Sequence, residues 1–193
     1  MRPPDALYFT PDAEANRLLA TDPLALLLGM LLDQQVTMEA AFRAPLALAQ
    51  RLGGRLDAGA IAAMTPEEID AVFRERPALH RFPGSMAKRA HALCQFIVEH
   101  YDGRLEGIWE AAASGDELFA RVKALPGFGA DKARIFVGVL GKRMGVQPAG
   151  WETVAADWAS IADVDSFERI GEIRDQKRAA KAAKKATKAK TAS

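Results

Sequence analysis

Residues Leu24 to Leu32 are apolar without interruption except for Gly29, and this run limits the fold more than any other feature of the chain. Asp22 supplies an N-cap and Pro23 the first helical position, after which Leu24, Leu27, Leu28, Leu31 and Leu32 line a face too wide for a surface helix. A helix of that kind must be central, with other segments wrapped round it. Nine residues are too few to cross a bilayer, so the wrapping has to come from protein. β-Branched residues are sparse, no alternating segment is bounded by a hairpin dipeptide, and Ala, Leu, Ile and Phe recur at helical spacing. The expectation is an all-α bundle, and 193 residues suffice for one compact unit or two small lobes.

Further helices follow from their start and stop signals. Gly53-Gly54 ends the next segment, and Thr65-Pro66-Glu67-Glu68 opens another with a cap, an N1 proline and two first-turn acids. From Ser85, Met86, Ala90, Leu93, Cys94 and Ile97 mark one buried face, which Asp102-Gly103 terminates. Asp116 is the expected cap of a helix over 117–124, Ala130 to about Leu140 forms the next, and 166–175 reads as a last short helix. The predicted organisation is an N-terminal segment (1–21), a helical domain (22–141), a short C-terminal helical region (142–176) and a basic tail (177–193).

Charge is distributed unevenly. The chain carries 26 Lys plus Arg and 25 Asp plus Glu. Seven of the bases, and no acid, lie in 177–193, so 26 less 7 leaves 19 bases against 25 acids, a body of net charge −6. Such a body repels a polyanion, and any nucleic-acid site on it must be local. The Lys-Ala tail has no large apolar residue, should be disordered when free, and suits a tether that tracks phosphate. One cysteine, Cys94, excludes a disulfide framework, a multi-thiolate zinc site and a four-cysteine iron–sulfur cluster. No cofactor is expected, although a monovalent cation is compatible with the glycine turn described next. Pro3, Pro4, Asp5 and Pro11 break up the first twelve residues, which do not read as a secretory signal. The expected setting is the cytoplasm, or the nucleoid in a prokaryote, with no membrane partner.

The stretch with mechanical content is Leu125-Pro126-Gly127-Phe128-Gly129-Ala130-Asp131-Lys132-Ala133. Two glycines one residue apart between helices permit the positive φ angles that turn successive N–H groups outward. Those amides, with the unpaired donors opening the second helix, can hold a phosphate without reading a base. Leu125 and Phe128 are expected to pack inward, and Lys132 to point at a phosphate. The plain alternative is an efficient turn between two core helices.

These residues resemble the Leu-Pro-Gly-x-Gly-x-x-x-Ala motif of the helix-hairpin-helix (HhH-GPD) DNA glycosylase superfamily. Two other stretches agree in order. Leu31-Leu32-Asp33-Gln34-Gln35-Val36-Thr37 is similar to the Gln-Gln segment after the family's core helix, particularly in its alkyladenine branch, and 82–101 to the helix one element before the hairpin. The resemblance implies a base excision repair enzyme: the hairpin grips the backbone of double-stranded DNA, a damaged base is rotated out, and its N-glycosidic bond is broken in a cleft. It assigns Gly127, Phe128, Gly129, Ala130 and Lys132 to DNA, together with Gln34 and Gln35, whose amides would fill the vacated stack or bond a base edge.

The catalytic position departs from the family pattern. Glycosidic cleavage builds oxocarbenium character on the sugar, which a nearby carboxylate stabilises. The family places an aspartate about two dozen residues after the motif leucine, a count that reaches Ala149 and Gly150 here. Glu152 and Asp157 are the nearest substitutes, and Asp163 is a more distant acid suited to bracing a turn. Members that also cleave the strand carry a lysine where this chain has Asp131. Lys132 is one residue, roughly 100 degrees, away, so no β-lyase activity is expected. The leading reading is a monofunctional N-glycosylase. The alternatives are a non-catalytic helix-hairpin-helix DNA-binding module and a helical scaffold for protein partners.

Overall fold

A computed structural model describes residues 4–173, 175, 176 and 179. The basic tail expected at 177–193 lies, apart from Ala179, outside the described residues. Among those described there is no strand, and the chain is all-α.

Ten α-helices follow one another: α1 (Ala13–Thr21), α2 (Pro23–Leu32), α3 (Met38–Arg51), α4 (Ala58–Ala63), α5 (Pro66–Arg74), α6 (Pro83–Tyr101), α7 (Gly107–Glu110), α8 (Gly115–Ala124), α9 (Ala130–Arg143) and α10 (Trp151–Val154). A 3-10 turn at Ile161–Asp163 and a helical stretch over 167–173 complete the described chain. The sequence signals recur as geometry. Asp22 accepts from the Leu24 and Ala25 amides ahead of Pro23, and Thr65 and Glu68 form a reciprocal capping box. Asp102 and Gly103 end α6 in the left-handed region. One cap differs from expectation: Ser114, not Asp116, accepts from the Glu117 amide, so α8 begins at Gly115 and Asp116 lies inside its first turn.

Every residue of α2 from Leu24 to Leu32 is buried, so the helix is central as its composition demands. A Cβ on Gly29 would overlap the Phe42 ring, which is how α3 comes close to α2. Full burial of each leucine contributes roughly 2 kcal/mol, enough to anchor α1, α3 and α6 round this helix. Residues before α2 also join the core: Leu7 and Phe9 are buried, and the Asn16 side chain ties that strand of chain down by accepting from the Phe9 and Thr10 amides. Cys94 is fully buried on the inner face of α6.

Candidate nucleic-acid interface

The hairpin is built from α8, five residues of turn and α9. Leu125 and Phe128 are buried, and the Phe128 ring meets Phe136 edge-on at 5.9 Å, pinning the turn to the core. The Phe128 amide donates to the Leu125 carbonyl at 3.0 Å, so it closes the turn and is not offered outward. Gly127 has φ +86, where a side chain is strained, and a Cβ there would overlap Leu31. Gly129 differs from the expected second positive angle: with φ −81 and ψ 176 it is extended backbone serving as the N-cap of α9. Its need for glycine is therefore not conformational. A Cβ at Gly129 would meet nothing, because that side of the turn faces open space.

The amides of Gly127, Gly129, Ala130, Asp131 and Lys132 carry no hydrogen bond to any other described residue. Gly127, Gly129, Ala130 and Asp131 are exposed. The amides of 130–132 are the orphan donors of a helix start with no capping side chain, and those of Gly127 and Gly129 belong to the turn before it. A phosphate oxygen at this place meets several N–H groups and the positive end of a fourteen-residue helix.

The cations near the hairpin serve the protein itself. The Lys132 amine donates to the carbonyls of Met30 and Leu31 at the end of α2 and lies 5.8 Å from the Phe128 ring. Burial lowers its pKa to about 8, against the favourable charge of Asp33, with Arg89 adding to the depression. Lys142 pairs with Asp163, Arg143 donates to the Ala162 carbonyl, and Arg134 reaches toward Val154. Asp163 also accepts from the Ser160 amide, bracing that turn. Its pKa is lowered; burial acts in the opposite direction, and the bonds from Lys142 and Ser160 prevail. The hairpin donors left without a partner among the described residues are thus backbone amides.

The two glutamines have different fates. Gln34 is fully engaged: its Nε2 donates to the Leu31 carbonyl, its Oε1 accepts from Arg89 at 2.8 Å, and its own carbonyl faces His80 Nε2 at 3.0 Å. Gln35 is exposed and left-handed, with φ +57. The first braces the turn and the second projects from it. Across the same turn stands Phe82, 41% exposed despite its ring, with the Arg81 guanidinium 5.3 Å from the ring centroid. In the sequence Phe82 stands only as the first residue of the 82–101 helix. An aromatic between Arg81 and the helix-opening Pro83 was the available signal.

The substitute carboxylates also part company. Trp151 packs on Gly141, where a Cβ would overlap its ring, and Gly150 closes on Gly115 at the start of α8. Gly141 is eleven residues along α9 from Ala130, about 16 Å at the helical rise. Glu152 therefore sits, exposed, at the end of the hairpin remote from its turn. Beyond α10 the chain runs back along α9, and the Ala156 amide donates to the Arg134 carbonyl at 3.1 Å. Arg134 is four residues from Ala130, about 6 Å along the axis. Asp157, next to this anchor, is exposed, and so is Trp158 at 40%. The return of the chain brings residue 156 beside α9 about one turn from its start; the residue count placed Asp157, its neighbour, farther from the family position than Glu152.

No group of three or more His, Cys, Asp or Glu suited to a metal occurs among the described residues. Burial pushes the Cys94 thiol up to about 12, which leaves it an inert core group.

A family model described as HhH-GPD superfamily base excision DNA repair protein matches residues 28–190. No curated protein and no solved structure matches the chain.

Proposed function

The chain belongs to the HhH-GPD superfamily of base excision DNA repair proteins, and from that premise we propose that it is a monofunctional N-glycosylase acting on duplex DNA, with Asp157 as its sugar-facing carboxylate. The observation that supports this reading is the bond from the Ala156 amide to the Arg134 carbonyl, which brings residue 156, the neighbour of Asp157, against α9 about one turn in from Ala130.

In this reading the amides of 127 and 129–131 hold a phosphate beside the target nucleotide. Gln35 and Phe82 enter the stack as the base turns out, the amide replacing base-edge hydrogen bonds and the ring replacing stacking. The bond between C1′ and the base nitrogen then breaks. Its electron pair leaves with the base, which takes up a proton, and the Asp157 carboxylate offsets the positive charge developing on the sugar. Water adds to C1′ and gives up a proton, leaving an abasic site. Asp131 occupies the position where an amine would attack the sugar, and the Lys132 amine is held by α2, so the strand stays intact.

Single-turnover assays on duplexes with alkylated, deaminated and oxidised bases test the proposal. The expected result is base release with strand scission only after alkali. Asp157→Asn should slow release about 100-fold or more with affinity changed less than twofold, and Glu152→Gln should match the parent. Binding without release from any substrate would favour the non-catalytic module, a reading supported by the lack of a carboxylate at Ala149 and Gly150.

A further inference from the structure

His80 is 5% exposed, yet both ring nitrogens have partners on different segments. The Phe82 amide donates to Nδ1 at 3.0 Å, which makes Nδ1 the acceptor and leaves the ring hydrogen on Nε2, 3.0 Å from the Gln34 carbonyl. The imidazole is thus a neutral clasp. One side holds the backbone of Phe82, the N-cap of α6. The other holds the turn between α2 and α3 at the residue before Gln35. Arg89 from α6 reinforces that turn by donating to the Gln34 side chain. The two exposed side chains on these segments are Gln35 and Phe82; the Phe82 ring lies 5.3 Å from the Arg81 guanidinium and 6.1 Å from the His80 ring itself. The separation of Gln35 and Phe82 is set behind them, by the imidazole.

We propose that His80 is a positioning residue whose neutral imidazole locks the Gln34–Gln35 turn to the Phe82 segment, so that Gln35 and Phe82 enter a duplex as a single rigid pair and unstack the target base. This rests on the DNA-binding reading but not on Asp157 or on any base being released. The hairpin amides grip phosphate independently of the clasp, so losing His80 should separate unstacking from affinity. Removing both arms should leave the clasp with nothing to position.

The test uses the full chain and a duplex with 2-aminopurine opposite a mismatch. Fluorescence reads unstacking, anisotropy reads affinity, and thermal melting reads the fold. His80→Ala is expected to cut the fluorescence gain at least fivefold while weakening binding no more than about threefold. His80→Gln, which keeps one donor and one acceptor, should recover at least half of the gain. In a Gln35→Ala, Phe82→Ala background, adding His80→Ala should change the remaining signal by less than a factor of two, since coupled positions are not additive. If His80→Ala fails to fold, His80→Leu, which fills the same space without a donor or acceptor, is read by the same three measurements and must give the same split between fluorescence and affinity. The proposal is overturned if fluorescence and affinity fall in parallel in His80→Ala, if the arm variants unstack normally, or if His80→Ala has its full effect without the arms. Absence of DNA binding by the parent chain would instead remove the reading beneath it, and unstacking without base release would leave the clasp standing while refuting the glycosylase.

Discussion

Two turns that the proposed function assigns to DNA satisfy opposite parts of their own chemistry. The hairpin turn at 125–129 and the turn at 33–37 each join two core helices, and each contains one left-handed residue, Gly127 at φ +86 and Gln35 at φ +57. In the hairpin the side chains turn inward and the amides are left free. In the other turn the backbone is tied down through Gln34, and a side chain is left free. Free amides suit a phosphate, which is the same at every nucleotide; a free side chain suits the base stack, which is not. In the proposed function this contrast divides grip from probing according to which part of each turn the protein satisfies internally.

The largest effect that would break this contrast is at Gly127. Alanine there meets Leu31 and an unfavourable φ, and should lower stability by about 1–3 kcal/mol and DNA affinity more than tenfold; urea unfolding and anisotropy read both. Normal affinity in a folded Gly127→Ala protein would show that the turn is not the grip.

Ala130→Pro is a cleaner probe of the amides. Position 130 opens α9, where proline is tolerated, and Gly129 already has the extended ψ a following proline requires. Stability should stay within about 0.5 kcal/mol, while affinity drops severalfold through the loss of one N–H and the ring in its place.

The glutamines should diverge next. Gln34→Ala deletes the bonds to Leu31 and Arg89 and should cost about 1–2 kcal/mol. Gln35→Gly relieves a left-handed side chain and should hold or slightly raise stability, yet reduce 2-aminopurine unstacking. Equal stability losses at both positions would erase the distinction between brace and probe.

A pH-dependent effect concerns Lys132, whose amine reaches from α9 to the end of α2. The pKa of Lys132 falls to about 8 in the folded protein, below its ordinary value of 10.5. Between those values the unfolded chain binds more protons, so this group makes stability rise as pH increases from about 8 to about 10.5. The difference in urea midpoint between the parent and Lys132→Met should change in that sense across the window; a flat difference would mean that burial does not perturb the amine.

Much of the fold was legible because it rests on local chemistry. The Asp22-Pro23 start, the Thr65–Glu68 capping box and the Asp102-Gly103 stop depend on residues within one turn of each other, and all recur in the structure. The cap of α8 was misplaced by two residues because Ser114 and Asp116 are both good caps, and sequence cannot say which side chain reaches the Glu117 amide. The site was legible only in part. Gly127 could be read from its motif, but spacing could not tell Gln34 from Gln35, since Arg89 and His80 lie 55 and 46 residues away from the former. Nor could spacing show that α10 takes up chain length before residue 156 returns to α9.

By itself the sequence determined that this chain would be helical, would bury 24–32 at its centre, and would present a glycine turn with amides to spare, since each follows from residue type and spacing over a few positions. Tertiary structure alone decided which donors remain free, which glutamine projects, and where the chain returns to α9. Those outcomes depend on distances between segments far apart in the chain, and such distances are set only when the core closes.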